Sequence, residues 1–201
     1  MSLIEIAGNK LFLEDEGEGS PLLFLHGFPL SHAMWHYQRM EFRASQRTII
    51  PDLRGFGLSV ATTQVTSLTD FADDIAQLLD HLRVKEPVTL CGLSMGGYIA
   101  FRFLEKYPAR VARLILCDTK AAADTPEAAQ GRLATAEKVL KEGSPVVAEG
   151  MLSKLFAKSA DSALVESAGQ VMRTTAPETV AAALRAMAAR PDSTPLLKLI
   201  T

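Results

Sequence analysis

Residues 89–103 read TLCGLSMGGYIAFRF, and no other stretch narrows the fold so far. An apolar run of strand type gives way, across Gly92-Leu93-Ser94-Met95-Gly96, to a helical pattern. A chain turns that sharply only when the central residue accepts a strained backbone and the residues two before and two after it are small. Ser94 then stands at the N-terminus of the following helix, with its hydroxyl at the top of a sheet. The backbone N–H of Met95 and the positive end of the helix dipole face any oxyanion formed there. The competing reading is a helix N-cap serine after a glycine turn.

The first 120 residues alternate short apolar runs with amphipathic stretches. LIEI and KLFLEDEG read as a strand pair turned at Ala7-Gly8-Asn9. PLLFL and RTIIPD are continuous apolar runs, as strands covered on both faces require. A weak pattern places a helix over 35–45. SLTDFADDIAQLLDHLRV is an amphipathic helix capped by Ser67 or Thr69, with Phe71, Ile75, Leu78, Leu79 and Leu82 on one face. PVTLCG and VARLILCD are strands, and MGGYIAFRFLEKYP is a helix stopped by Pro108. Alternating strands and helices predict an α/β fold with a mostly parallel sheet of about six strands. From Ala121 to Arg190 the pattern is helical throughout, three or four helices with Pro at first positions and a stop at Gly143.

Composition excludes several function classes. A net charge of −2 without a basic cluster gives no reason to expect nucleic acid or an anionic membrane as partner. No apolar run approaches the roughly 20 residues of a membrane span. The N-terminus MSLIEIAGNK has no charged-then-apolar leader. Cys91 and Cys117 each end a strand-like run and read as two reduced core thiols, so a cytoplasmic location is expected. No Cys or His spacing suits a metal.

LFLHGFPLSHAMW, PDLRGFGLS and LCGLSMGGYIAFRF, in this order and spacing, resemble the α/β-hydrolase superfamily. The nearest branch holds small esterases, lactonases and cofactor-free perhydrolases. The resemblance implies a sheet core over 1–120, an all-helical cap over 121–190 and a return segment over 191–201. It also implies Ser94 as nucleophile, with the Phe28 and Met95 amides as oxyanion hole, acting on a small-molecule ester or lactone without cofactor. A serine at 94 argues against the dehalogenase and epoxide hydrolase branches, which use Asp there. Trp35, Met151, Leu155, Phe156 and Met187 are the expected walls of an apolar substrate pocket.

A serine hydroxyl needs a positioned base and an acid that orients it. In this superfamily the histidine follows the nucleophile in the chain, yet His26, His32, His36 and His81 all precede Ser94. Each reads as structural. Asp118, after RLILC, is a candidate alternative acid. The tail RPDSTPLLKLIT resembles the segment leading into a further strand, so the 201 residues are expected to be the N-terminal part of a longer hydrolase, inactive or weak alone. RLILC would then be an open sheet edge, prone to self-association or complementation by a C-terminal segment. A second reading is a non-catalytic protein that binds a small ligand on the same scaffold.

Overall fold

The N-terminal apolar runs pair as an antiparallel hairpin of β1 (Ser2–Ile6) and β2 (Asn9–Glu16). Ala7 and Gly8, at positive φ, make its turn. The computed structural model describes residues 2–61 and 65–200, and Met1 and Thr201 of the two terminal segments lie outside the described residues. β3 (Pro21–Leu25), β4 (Arg47–Pro51), β5 (Val88–Leu93) and β6 (Val111–Cys117) complete a six-stranded sheet in the order β1-β2-β4-β3-β5-β6. β4, β3, β5 and β6 run parallel, while β2 is antiparallel to β4. Every residue of central β3 is buried, the environment its uninterrupted apolar sequence demands.

Helices cover both faces. α1 (His36–Phe42) follows a 3-10 turn at His32–Trp35 and is shorter than its sequence pattern predicts. α2 (Leu68–His81) begins at a capping box in which Ser67 and Asp70 satisfy each other's backbone donors. α3 (Met95–Lys106) ends just before Pro108. Phe71, Ile75, Leu78 and Leu79 of α2 are fully buried, each contributing about 1.5–3 kcal/mol by leaving water. Strand alternation sends Leu23 and Leu25 into the core shared with α2 and α3. Leu22 and Phe24 join Trp35, Ile50 and Cys91 on the opposite face.

β6 forms one edge of the sheet, with Ile115 and Leu116 exposed. Cys91 and Cys117 are free thiols with their sulfurs 3.9 Å apart, and burial, then the neighbouring thiol, push Cys91 up to about 12. Beyond β6 come four helices, α4 (Pro126–Glu142), α5 (Pro145–Leu155), α6 (Ser162–Thr174) and α7 (Pro177–Ala188). Pro126, Pro145 and Pro177 open three of them, and Gly143, at φ 86°, closes α4. The two ends of this helical stretch meet. The Ser193 N–H donates to the Ala121 carbonyl at 2.8 Å, and the Arg190 guanidinium donates to the Ala122 carbonyl at 3.1 Å. A 3-10 stretch, Thr194–Leu199, then borders a groove of about 830 Å³ beside α3 and β6. No helix among the described residues is long and apolar enough to cross a membrane.

Candidate active site

Ser94 occupies the bend between β5 and α3 at φ 50°, ψ −110°. A non-glycine residue there carries roughly 1–3 kcal/mol of strain, so the surroundings must hold it. They do so through its backbone. The Ser94 N–H donates to the Cys117 carbonyl at 2.9 Å. The Ser94 carbonyl accepts from Gly97 N–H at 3.0 Å, Tyr98 N–H at 3.2 Å and Thr119 Oγ1 at 2.8 Å. The flanking glycines are required by close approach: a Cβ on Gly92 would land on the Gly96 carbonyl oxygen, and one on Gly96 would land on the Leu25 carbonyl oxygen.

The half-buried hydroxyl is a different matter. It makes no hydrogen bond among the described residues and no cap to α3, so Ser94 is not held as a helix N-cap. Gly27 approaches the same spot, where an added Cβ would stand 3.7 Å from Ser94 Cβ. The next residue, Phe28, is buried, as is Met95 at the first position of α3. Neither amide donates to a protein acceptor among the described residues. Buried N–H groups are seldom left unpaired, although first-turn helix donors such as Met95 have no intrahelical partner.

Ser94 and Phe28 open onto a cavity of about 680 Å³, walled also by Val147 and Met151 of α5 and by Leu184 and Met187 of α7. The expected pocket is thus assembled in part. Trp35 does not line it: its ring packs 4.9 Å from Phe24 on the opposite face of the sheet, because the 3-10 turn that carries it covers that face. Leu155 and Phe156 also lie off the cavity. α5 contributes Val146, Val147, Gly150 and Met151, and Leu155, one turn further along, lies past it and is exposed.

None of the four histidines lines this cavity. His26 is wholly buried; its Nε2 accepts from Leu53 N–H at 3.0 Å, so Nδ1 carries the proton and donates to the Gly27 carbonyl at 3.0 Å. Burial pushes its pKa down, against the pull of the Asp52 charge. His32 Nδ1 sits 2.8 Å from Asp52. That buried carboxylate also accepts from the His32 and Leu58 amides. Burial alone would raise Asp52, but the hydrogen bonds from His32 and from the Leu58 amide help hold it below the usual range. His36 stacks edge-on against Tyr37, and His81 ends α2. Asp118 lies exposed at φ 39° between Cys117 and Thr119, bonded to no histidine among the described residues.

What the apolar pattern of the sequence missed is the charge on the wall. Lys120, Asp124, Arg132 and Lys138 all line the cavity. The Asp124 side chain, 1% exposed, accepts from Arg190 at 2.8 Å and Arg132 Nε at 2.6 Å, with Lys120 at 3.2 Å. Burial would raise its pKa, but these cations hold it far below the usual carboxylate range. The buried Arg190 also lies 4.1 Å over the Tyr98 ring. A signal existed: Ala128, Gly131, Arg132, Thr135 and Lys138 recur at helical spacing on α4, but a polar stripe reads as a solvated face. Among the described residues no group of three His, Cys, Asp or Glu side chains is placed to hold a metal ion.

This bend, with its glycines and amides at the ends of parallel strands, belongs to a recognised class. Residues 20–169 match the family described as alpha/beta hydrolase fold, and the chain belongs to it. An AB hydrolase superfamily protein of Bacillus subtilis is 40% identical over 117 residues, 57% of this chain. The chain covers only 43% of that relative's length. A thermophilic esterase from Thermogutta terrifontis, solved with malate bound, superposes over 100% of this chain and 77% of its own, at 43% identity and TM-score 0.95. An esterase from Exiguobacterium antarcticum superposes over the same shares at 26% identity and TM-score 0.86.

Proposed function

We propose that the protein is a serine hydrolase of carboxylic esters or lactones, with Ser94 as nucleophile. Attack by its Oγ forms the acyl–oxygen bond and drives the carbonyl electron pair onto oxygen, between the Phe28 and Met95 amides. Collapse expels the alcohol, and water then cleaves the acyl-Ser94 ester. The helices over 121–190 act as the cap that walls the acyl pocket, over a core at 1–120 with a return segment at 191–201. The observation that carries this reading is the unbonded Ser94 hydroxyl on a strained bend, opening on the same cavity as Phe28. The esterases from Thermogutta terrifontis and Exiguobacterium antarcticum favour ester substrates over other hydrolase chemistry.

No histidine lines the cavity among the described residues. In the 201-residue chain the Ser94 proton therefore passes to water, and loss of a triad base costs on the order of 10⁶ in kcat. The same lack favours the alternative of a ligand-binding protein on this scaffold. Fluorophosphonate labelling with peptide mapping separates the two: modification at Ser94, abolished in Ser94→Ala, supports the enzyme. An inert Ser94 in a folded chain supports the binder.

A further inference from the structure

We infer that the Ser94 cavity takes an ester or lactone that carries a carboxylate of its own, with Arg132 as the residue that grips it. This rests on the proposed role of the cavity as the substrate site and adds the chemical class of the acyl group.

The cavity wall carries three cations, Lys120, Arg132 and Lys138, against a single carboxylate, Asp124. That carboxylate is already spent inward. One oxygen accepts from the buried Arg190 and faces Lys120; the other accepts from Arg132 Nε. Lys138 has its own partner in Glu142 at 3.7 Å, but Lys120, Arg132 and Arg190 share the one carboxylate of Asp124, so net positive charge remains around a nucleophile whose oxyanion donors are backbone amides.

Lys120 and Lys138 are each more than half exposed, so a solvated basic rim accounts for them, and they serve to draw anions in. Arg132 differs. Its side chain is only 26% exposed, Nε is fixed by Asp124, and Nη1 meets only the Met187 sulfur at 3.6 Å. Its Nη2 makes no hydrogen bond among the described residues. The outer edge of this half-buried guanidinium faces solvent in the cavity and meets no protein oxygen among the described residues, and a carboxylate matches that fork in shape and charge. Asp124, locked by Arg190, sets the direction in which the fork points. Val147, Met151 and Leu184 supply apolar wall to the same cavity. The ligand this combination fits is a short apolar chain with the scissile carbonyl at Ser94 and a carboxylate at the far end.

Isothermal titration calorimetry at low ionic strength tests it, with glutarate and its neutral counterpart glutaramide as probes. The wild-type chain and Ser94→Ala should both prefer glutarate by about tenfold or more. Arg132→Met should lose that preference while circular dichroism stays unchanged. Arg132→Lys, which keeps charge without the fork, should retain only part of it, and it decides the matter if the Met variant does not fold. Equal affinity for the two probes in the wild type overturns the proposal, as does a preference that survives both substitutions. A glutarate preference with no fluorophosphonate label at Ser94 sinks the hydrolase and leaves the anion site standing. A labelled Ser94 without the preference does the reverse.

Discussion

The hydroxyl of Thr119 donates to the carbonyl of Ser94 at 2.8 Å, while the carbonyl of Cys117, two residues earlier, receives the Ser94 N–H. The end of β6 thus holds the strained bend from both sides. Thr119→Val removes one of these links with little change of shape. A hydrogen bond of this kind is worth about 1 kcal/mol, so Tm should fall by roughly 2–4 °C. Fluorophosphonate labelling of Ser94 should slow with it. An unchanged Tm together with an unchanged labelling rate would show that the bend is held by something else.

Two glycine-to-alanine changes should act in opposite directions. At Gly96 the new methyl meets the Leu25 carbonyl, and the backbone of central β3 cannot yield cheaply; a loss of about 1–3 kcal/mol is expected. At Gly150, inside α5, a Cβ meets nothing within 4 Å, so Gly150→Ala should gain about 0.5–1 kcal/mol from helix propensity. Urea denaturation of the two variants measures both, and losses of equal size would contradict this account.

Asp124 joins α4 to the exit of α7 through Arg132 and Arg190. Asp124→Asn leaves a buried Arg190 without its counter-charge, at a cost of about 3–5 kcal/mol. The pH dependence follows from the depressed carboxyl. Above its unfolded pKa of about 4 the ion pair contributes in full, and that stability is lost progressively as pH falls below 4. Denaturation midpoints between about pH 5 and pH 2 should fall steeply in the wild type and less steeply in Asp124→Asn. Parallel curves would remove Asp124 from the explanation.

His26 should stay neutral, with its proton on Nδ1, as the bonds to Leu53 and Gly27 require. Its folded pKa lies below the ordinary value. The unfolded chain therefore binds a proton first, and stability is lost as pH drops below about 6.5. Nitrogen-15 correlation spectra of the imidazole report this directly. A His26 resonance titrating at its ordinary value would contradict the assigned hydrogen bonds.

The strands, α2 and the serine bend were legible in the sequence because each is governed by local rules. PLLFL has no polar residue to place in solvent, Ser67 and Asp70 form a cap within one turn, and Gly92 and Gly96 are the only residues their positions accept. The cavity was less legible because its walls come from distant segments. Trp35 is as apolar as Met187, but only the three-dimensional path of the 3-10 turn decides which face of the sheet it covers. Arg132 was missed for the converse reason: a cation on a polar helical stripe reads as solvated until α7 is seen packed beside it. The structural part of His26 came from the family resemblance of its His-Gly turn, whereas the His32–Asp52 pairing spans 20 residues and left no local trace.

The ties among Ala121, Ala122, Asp124, Arg190 and Ser193 mean that the helical stretch closes on itself through one narrow neck, a few residues past the end of β6. The neck is one attachment among several: Val180, Ala183 and Met187 of α7 share the buried core with Leu23 and Leu25 of β3. Lengthening or exchanging these helices would therefore disturb the sheet beneath, even with the neck intact.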